Sequence, residues 1–126
     1  MSGRVVHFEI PFDDGDRARG FYREAFGWDM MTMPDGEYTL VTVGPTSQET
    51  GPTEPGYING GLTGRGTVTG PSLVIDVENI EDALAKIEAV GGKTVTGRTS
   101  VGDFGYSAYF NDTEGNLMGL WEARRG

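Results

Sequence analysis

Apolar and polar residues alternate at period two from Arg4 to Phe12, with Val6, Phe8, Ile10 and Phe12 on one side and Val5, His7, Glu9 and Pro11 on the other. This alternation predicts a strand with one buried face. Next, Asp14 or Asp16 can cap a helix whose apolar set Ala18, Phe21, Tyr22, Ala25 and Phe26 follows helical spacing, with Gly27 as its left-handed stop. The same order returns at Ser72-Leu73-Val74-Ile75-Asp76-Val77, where Leu73, Ile75 and Val77 alternate. Asn79 then caps a helix carrying Ile80, Ala83, Leu84, Ile87 and Val90, ahead of Gly91-Gly92. One constant offset maps Phe8, Ile10 and Phe12 onto Leu73, Ile75 and Val77, Ala18 onto Ala83, and Gly27 onto Gly92.

Three strand-like segments follow each helix: Trp28 to Met33, Glu37 to Val43 and Tyr57 to Thr63, then Lys93 to Val95, Tyr106 to Asn111 and Asn116 to Glu122. Both halves therefore read βαβββ. The first half carries an insertion, Gly44 to Gly56, whose Pro, Thr, Gly and Glu content predicts a mobile loop. Gly64 to Gly70 reads as the linker between halves. Asp112-Thr113-Glu114-Gly115-Asn116 combines a side-chain cap with a glycine able to take positive φ, a hairpin signal that fixes the register of the last strand.

With 126 residues and 37% hydrophobic content, the chain suits a single domain with a real core, residues 1–126, split into a module of about 1–64 and one of about 69–124. The absence of cysteine leaves no disulfide and no thiolate metal site, so stability rests on packing. A net charge of -9 without a basic stripe argues against nucleic acid. There is no apolar run of membrane-spanning length and no basic start followed by an apolar stretch, so neither a membrane nor secretion is expected; the expected location is cytoplasmic.

Several segments together carry a family resemblance. They are Phe8-Glu9-Ile10-Pro11, Asp14 with Arg17-Ala18, Phe21-Tyr22, Phe26-Gly27-Trp28, Gly91-Gly92-Lys93, and the closing run from Asp112 to Glu122 with Gly119-Leu120-Trp121. The chain resembles the vicinal oxygen chelate superfamily, which includes glyoxalases, bleomycin-resistance proteins and extradiol dioxygenases. Within it, the chain is similar to the glyoxalase-like branch of poorly known function. The resemblance implies an α+β fold of two βαβββ modules forming a half-open eight-stranded mixed barrel, with helices outside and a central cleft. It also implies a homodimer, and leaves open whether modules pair within a chain or are exchanged between chains. By parity, Val5, His7, Glu9 and Pro11 face the cleft, as do Ser72, Val74 and Asp76.

Metal-dependent members of this superfamily place His or Glu ligands at four cleft positions. Matched here, those positions are His7, Gly61, Ser72 and Gly119, and only His7 can ligate as a histidine or carboxylate. No metal or other cofactor is expected, with a weak residual divalent ion at His7 as the remaining option. His7, the chain's one histidine, and Glu9 are the candidate catalytic pair for proton transfer. A hydrogen-bonded structural histidine and a carboxylate paired with an arginine are the competing roles. Asn59, Thr63, Ser72 and Trp121 are the candidate ligand-binding residues; two glycines beside an indole suggest a slot, against ordinary packing or a dimer contact for the tryptophan. Tyr38, Tyr106 and Tyr109 have no secure register.

Gly91-Gly92-Lys93-Thr94 follows a helix instead of opening one, so it is a helix stop and not a phosphate loop. Asp13, Asp14 and Asp16 lack calcium-loop spacing and read as capping. The first functional expectation is a small-molecule-binding glyoxalase-like protein, either a metal-free enzyme or one that has lost activity. The alternatives are a drug- or metabolite-sequestering protein of bleomycin-resistance type, which suits an acidic chain with cationic ligands, and a metal-dependent lyase or dioxygenase completed by a partner chain.

Overall fold

The computed structural model describes residues 3–124. In chain order they form β1 (Val5–Phe12), α1 (Gly15–Phe26), β2 (Asp29–Thr32), β3 (Tyr38–Thr42), β4 (Thr46–Ser47), β5 (Gly51–Pro52), β6 (Asn59–Gly64), β7 (Ser72–Asp76), α2 (Ile80–Ala89), β8 (Lys93–Val101), β9 (Gly105–Asn111) and β10 (Leu117–Ala123). Two compact units result. The first is His7–Pro71; the second comprises residues 72–124 together with residues 3–6. Among the described residues no helix is long and apolar enough to cross a membrane.

In the first unit the strands lie in the order β2-β3-β6-β1, the first two pairings antiparallel and β6 with β1 parallel. In the second the order is β8-β9-β10-β7, again with two antiparallel pairings and a parallel one between β10 and β7. Four strands of mixed direction and one helix per unit give the expected α+β class and the duplicated βαβββ topology. β4 and β5 form a separate small hairpin.

The helix starts are where the repeat is most literal. Asp14 accepts from the Arg17 amide at 3.0 Å and Asn79 from the Asp82 amide at 2.8 Å, at the offset that relates the strands. Asp16 instead pairs with Arg19 at 2.7 Å. The helix ends depart from the repeat. Gly27 takes φ 74° and closes α1 onto the Arg23 carbonyl, whereas α2 stops at Ala89 and the left-handed residue is Gly91, not Gly92. Gly92 packs tightly against Ile87, and Val90, expected on the apolar face, lies beyond the helix and is exposed.

Ile80 and Leu84 of α2 pack on Ala108, Phe110 and Leu120, with Ile75, Val77, Ala83, Ile87 and Met118 around them. In the first unit, Val41 and Leu62 are buried, and the ring of Tyr22 lies parallel to Trp28 at 4.9 Å while Phe8 meets Trp28 at 5.6 Å. α1 buries no residue fully, and Phe21 and Phe26 of its expected apolar set are exposed. β8 extends six residues past the expected Val95. Its Thr-Gly-Arg-Thr-Ser sequence lacks alternation because the strand is exposed along nearly its whole length and irregular against β9.

The segment expected as a mobile loop is a hydrogen-bonded hairpin. The Tyr57 hydroxyl donates to the Pro45 carbonyl, and the Thr53 amide bonds the same oxygen at 3.0 Å.

Candidate functional site

Period-two geometry sorts β1 as expected. Phe8 lies against Trp28 and Phe12 beneath the Arg19 guanidinium of α1, so His7 and Glu9 point to the opposite face. On β3, Thr39 accepts from Arg19 at 3.2 Å, which sends its neighbour Tyr38 to the face of His7 and Glu9. The three side chains meet there. The Tyr38 hydroxyl donates to Glu9 Oε2 at 2.8 Å and stands 2.7 Å from His7 Nε2. One phenolic hydroxyl therefore links the only histidine of the chain to a carboxylate that is 7% exposed.

Burial pulls the His7 imidazole below its ordinary pKa, and the charge of Glu9 only partly opposes that shift. The ring is therefore neutral near neutral pH. A neutral imidazole at a half-buried position can take up a proton, and a carboxylate linked to it can offset the charge that results.

Gly61 and Gly119 do not leave open slots. The ring and hydroxyl of Tyr38 occupy the space a side chain at position 61 would need, and Val74 with Tyr109 closes on Gly119. Asn59 is level with His7 in the strand register, but its amide is committed to the hairpin, accepting from the Val43 amide at 2.9 Å and donating to Thr46 Oγ1 at 2.9 Å. Thr63 is half-buried on the His7 face of β6, level with Pro11 and Tyr38. Ser72 and Trp121 belong to the second unit. Ser72 is buried and donates to the Leu117 carbonyl at 2.7 Å, and the Trp121 ring lies over Gly105. The structure thus gathers His7 and Glu9 around Tyr38, whose role the sequence did not fix, while Asn59 and Ser72 hold backbone.

The resident metal of related folds can be tested against these donors. Among the described residues no three His, Cys, Asp or Glu side chains come together, and a phenol sits between His7 and Glu9. This donor set does not fit a divalent cation.

Two surface hollows do not include His7 in their walls. One, of about 460 Å³, is walled by Arg98, Tyr106, Glu122 and Arg124. Its charges serve the fold: Glu122 accepts from the Ile80 amide at 2.8 Å and from Arg98 at 3.0 Å, and Arg98 stacks 3.5 Å over the Tyr106 ring. The other, of about 350 Å³, lies beside the Arg65–Asp13 ion pair.

Comparison with known proteins agrees with the fold. The family described as bleomycin resistance protein-like N-terminal matches residues 4–44. A glyoxylase-like domain-containing protein of Didymella fabae is 32% identical over 95% of this chain and 94% of its own length. The putative glyoxylase CFP32 of Mycobacterium tuberculosis is 27% identical over 93% of this chain, which spans only 44% of that protein. Among solved structures, a glyoxalase/bleomycin resistance protein/dioxygenase superfamily member from Vibrio splendidus superposes with a TM-score of 0.62 at 17% identity, covering 97% of this chain and 99% of that one. The chain belongs to the glyoxylase-like domain family, and its fold is that of the superfamily member from Vibrio splendidus.

Proposed function

We propose that this protein binds a small organic molecule on the sheet face that carries His7 and removes a proton from it without a bound metal, His7 acting as the base. The observation that carries the reading is the hydrogen-bonded series His7, Tyr38, Glu9, which couples a neutral imidazole to a buried carboxylate. An imidazole can deprotonate carbon only where an electron-withdrawing neighbour acidifies it, and a carbonyl is the commonest such group, so the proposed substrate class is a small carbonyl compound. The description of relatives as glyoxylases supports this class. Thr63, on the His7 face of β6, is the side chain proposed to touch the ligand. The family resemblance supports a homodimer, which light scattering tests by its mass.

The bleomycin-resistance match over residues 4–44 and the acidic net charge favour one second reading, sequestration of a cationic drug or metabolite without chemistry. A thermal-shift screen separates the two, because a ligand that binds only the folded protein raises its melting temperature. Proton transfer predicts that hits are carbonyl compounds whose α-hydrogen exchanges with deuterated solvent, and that His7→Ala abolishes the exchange while the fold persists. Cationic hits with no exchange in either protein support sequestration instead. A tightly held equivalent of divalent metal in the dialysed protein would overturn the metal-free reading.

A further inference from the structure

Three groups meet at the Tyr38 hydroxyl, and proton counting decides how they are arranged. A phenol has one hydrogen, and Tyr38 gives it to Glu9 Oε2 at 2.8 Å, since a carboxylate only accepts. The contact of 2.7 Å with His7 Nε2 must then run the other way, with the imidazole donating to the phenolic oxygen. Nε2 carries the hydrogen, and in a neutral ring Nδ1 is left with its lone pair. Among the described residues Nδ1 has no hydrogen-bond partner.

We infer that Tyr38 is a positioning residue that fixes His7 in the Nε2–H form, so that Nδ1 is the atom that accepts the substrate's proton. The inference rests on the proton-transfer reading above and adds the atom and the device. Tyr38 also stands between the imidazole and the carboxylate, where a cation shared by both would have to lie, and its ring fills the place of a side chain at Gly61. The failed metal fit and the oriented histidine thus have one cause.

In the step itself, the substrate C–H bond breaks and an Nδ1–H bond forms. The electron pair stays on the substrate carbon and spreads into its carbonyl. His7 becomes an imidazolium whose Nε2–H remains held by Tyr38, and the carboxylate beyond the phenol offsets its charge.

The test is the nitrogen NMR spectrum of His7 in protein labelled with nitrogen-15, at about pH 8 where the ring is neutral. Because the chain has a single histidine, assignment is unambiguous. The expected result is a protonated Nε2 and a lone-pair Nδ1 in the native protein, and in Tyr38→Phe the loss of that single form to a mixture of both. The backbone amide spectrum of the variant shows whether it is folded, and the native spectrum is decisive without it. A hydrogen on Nδ1 in the native protein overturns the inference, as does an unchanged Nε2–H form in folded Tyr38→Phe. Failure of the wider reading looks different: the tautomer is found as stated, yet no carbonyl ligand exchanges its hydrogen and His7→Ala alters nothing that is bound.

Discussion

The ring of Tyr38 fills the space in which a side chain at Gly61 would begin, so the tyrosine and the glycine fit only each other. Gly61→Ala is therefore expected to cost about 1–3 kcal/mol through overpacking of the strand pair. In a Tyr38→Ala background the same change should be neutral or slightly stabilising, because alanine restricts the unfolded chain more than glycine does. Urea midpoints of the two single variants and the double variant measure the coupling. Additive costs would mean that the two residues do not share that space.

Stability should depend on pH through His7. Burial lowers its folded pKa below the ordinary 6.5, so between 6.5 and the folded value the unfolded chain binds more protons than the native one. Stability is then complete above 6.5 and falls as the solution is acidified through that window. Comparing native protein with His7→Gln isolates the contribution: the difference between their unfolding free energies should change on acidification from pH 7.5 to 5 and stay flat from 7.5 to 8.5. A difference that is constant across the whole range would show that His7 titrates alike in both states.

Glu122 is the corresponding anchor of the second unit. Its carboxylate, buried on β10, accepts from the first amide of α2 and holds Arg98. Glu122→Ala is expected to cost on the order of 3 kcal/mol, since it strips an amide at the helix start and leaves the guanidinium without that carboxylate. Arg98→Ala should cost less, because Arg98 is a third exposed and water can replace part of what it gives. The reverse order in a denaturant titration would show that Arg98, not Glu122, organises the contact.

These cases show why some features were legible in the chain and others were not. Asp14 and Asn79 announce the helix starts because capping is decided within four residues, and β1 sorts His7 from Phe8 because one face is buried and the alternation is unbroken. Tyr38 was not legible. Its face depends on the register of β3 against β6, a pairing between residues 19 to 25 apart, with the inserted hairpin between them. Arg98 was hidden for another reason: beyond Val95 β8 is exposed almost throughout and has no alternation, so nothing in the pattern marked that stretch as strand. The bare glycines misled in a specific way. A missing side chain signals close approach as readily as empty space, and here the approaching groups were Tyr38, Val74 and Tyr109.

Asn59 supplies the last prediction, because its position and its bonds point to different roles. It lies level with His7, which suits a ligand contact, yet its oxygen holds the Val43 amide and its nitrogen holds Thr46 at the foot of the hairpin. If clamping the hairpin is its work, Asn59→Ala should cost about 1 kcal/mol in global stability and raise the rate of proteolytic cleavage within residues 44–56 several-fold, since two bonds that close the segment are lost. Limited proteolysis followed by mass spectrometry locates the cuts. Unchanged cleavage together with a loss of affinity for a thermal-shift hit would assign Asn59 to the ligand instead. The bonds favour the clamp, because an amide whose two ends are already engaged must give up the hairpin before it can turn toward a bound molecule.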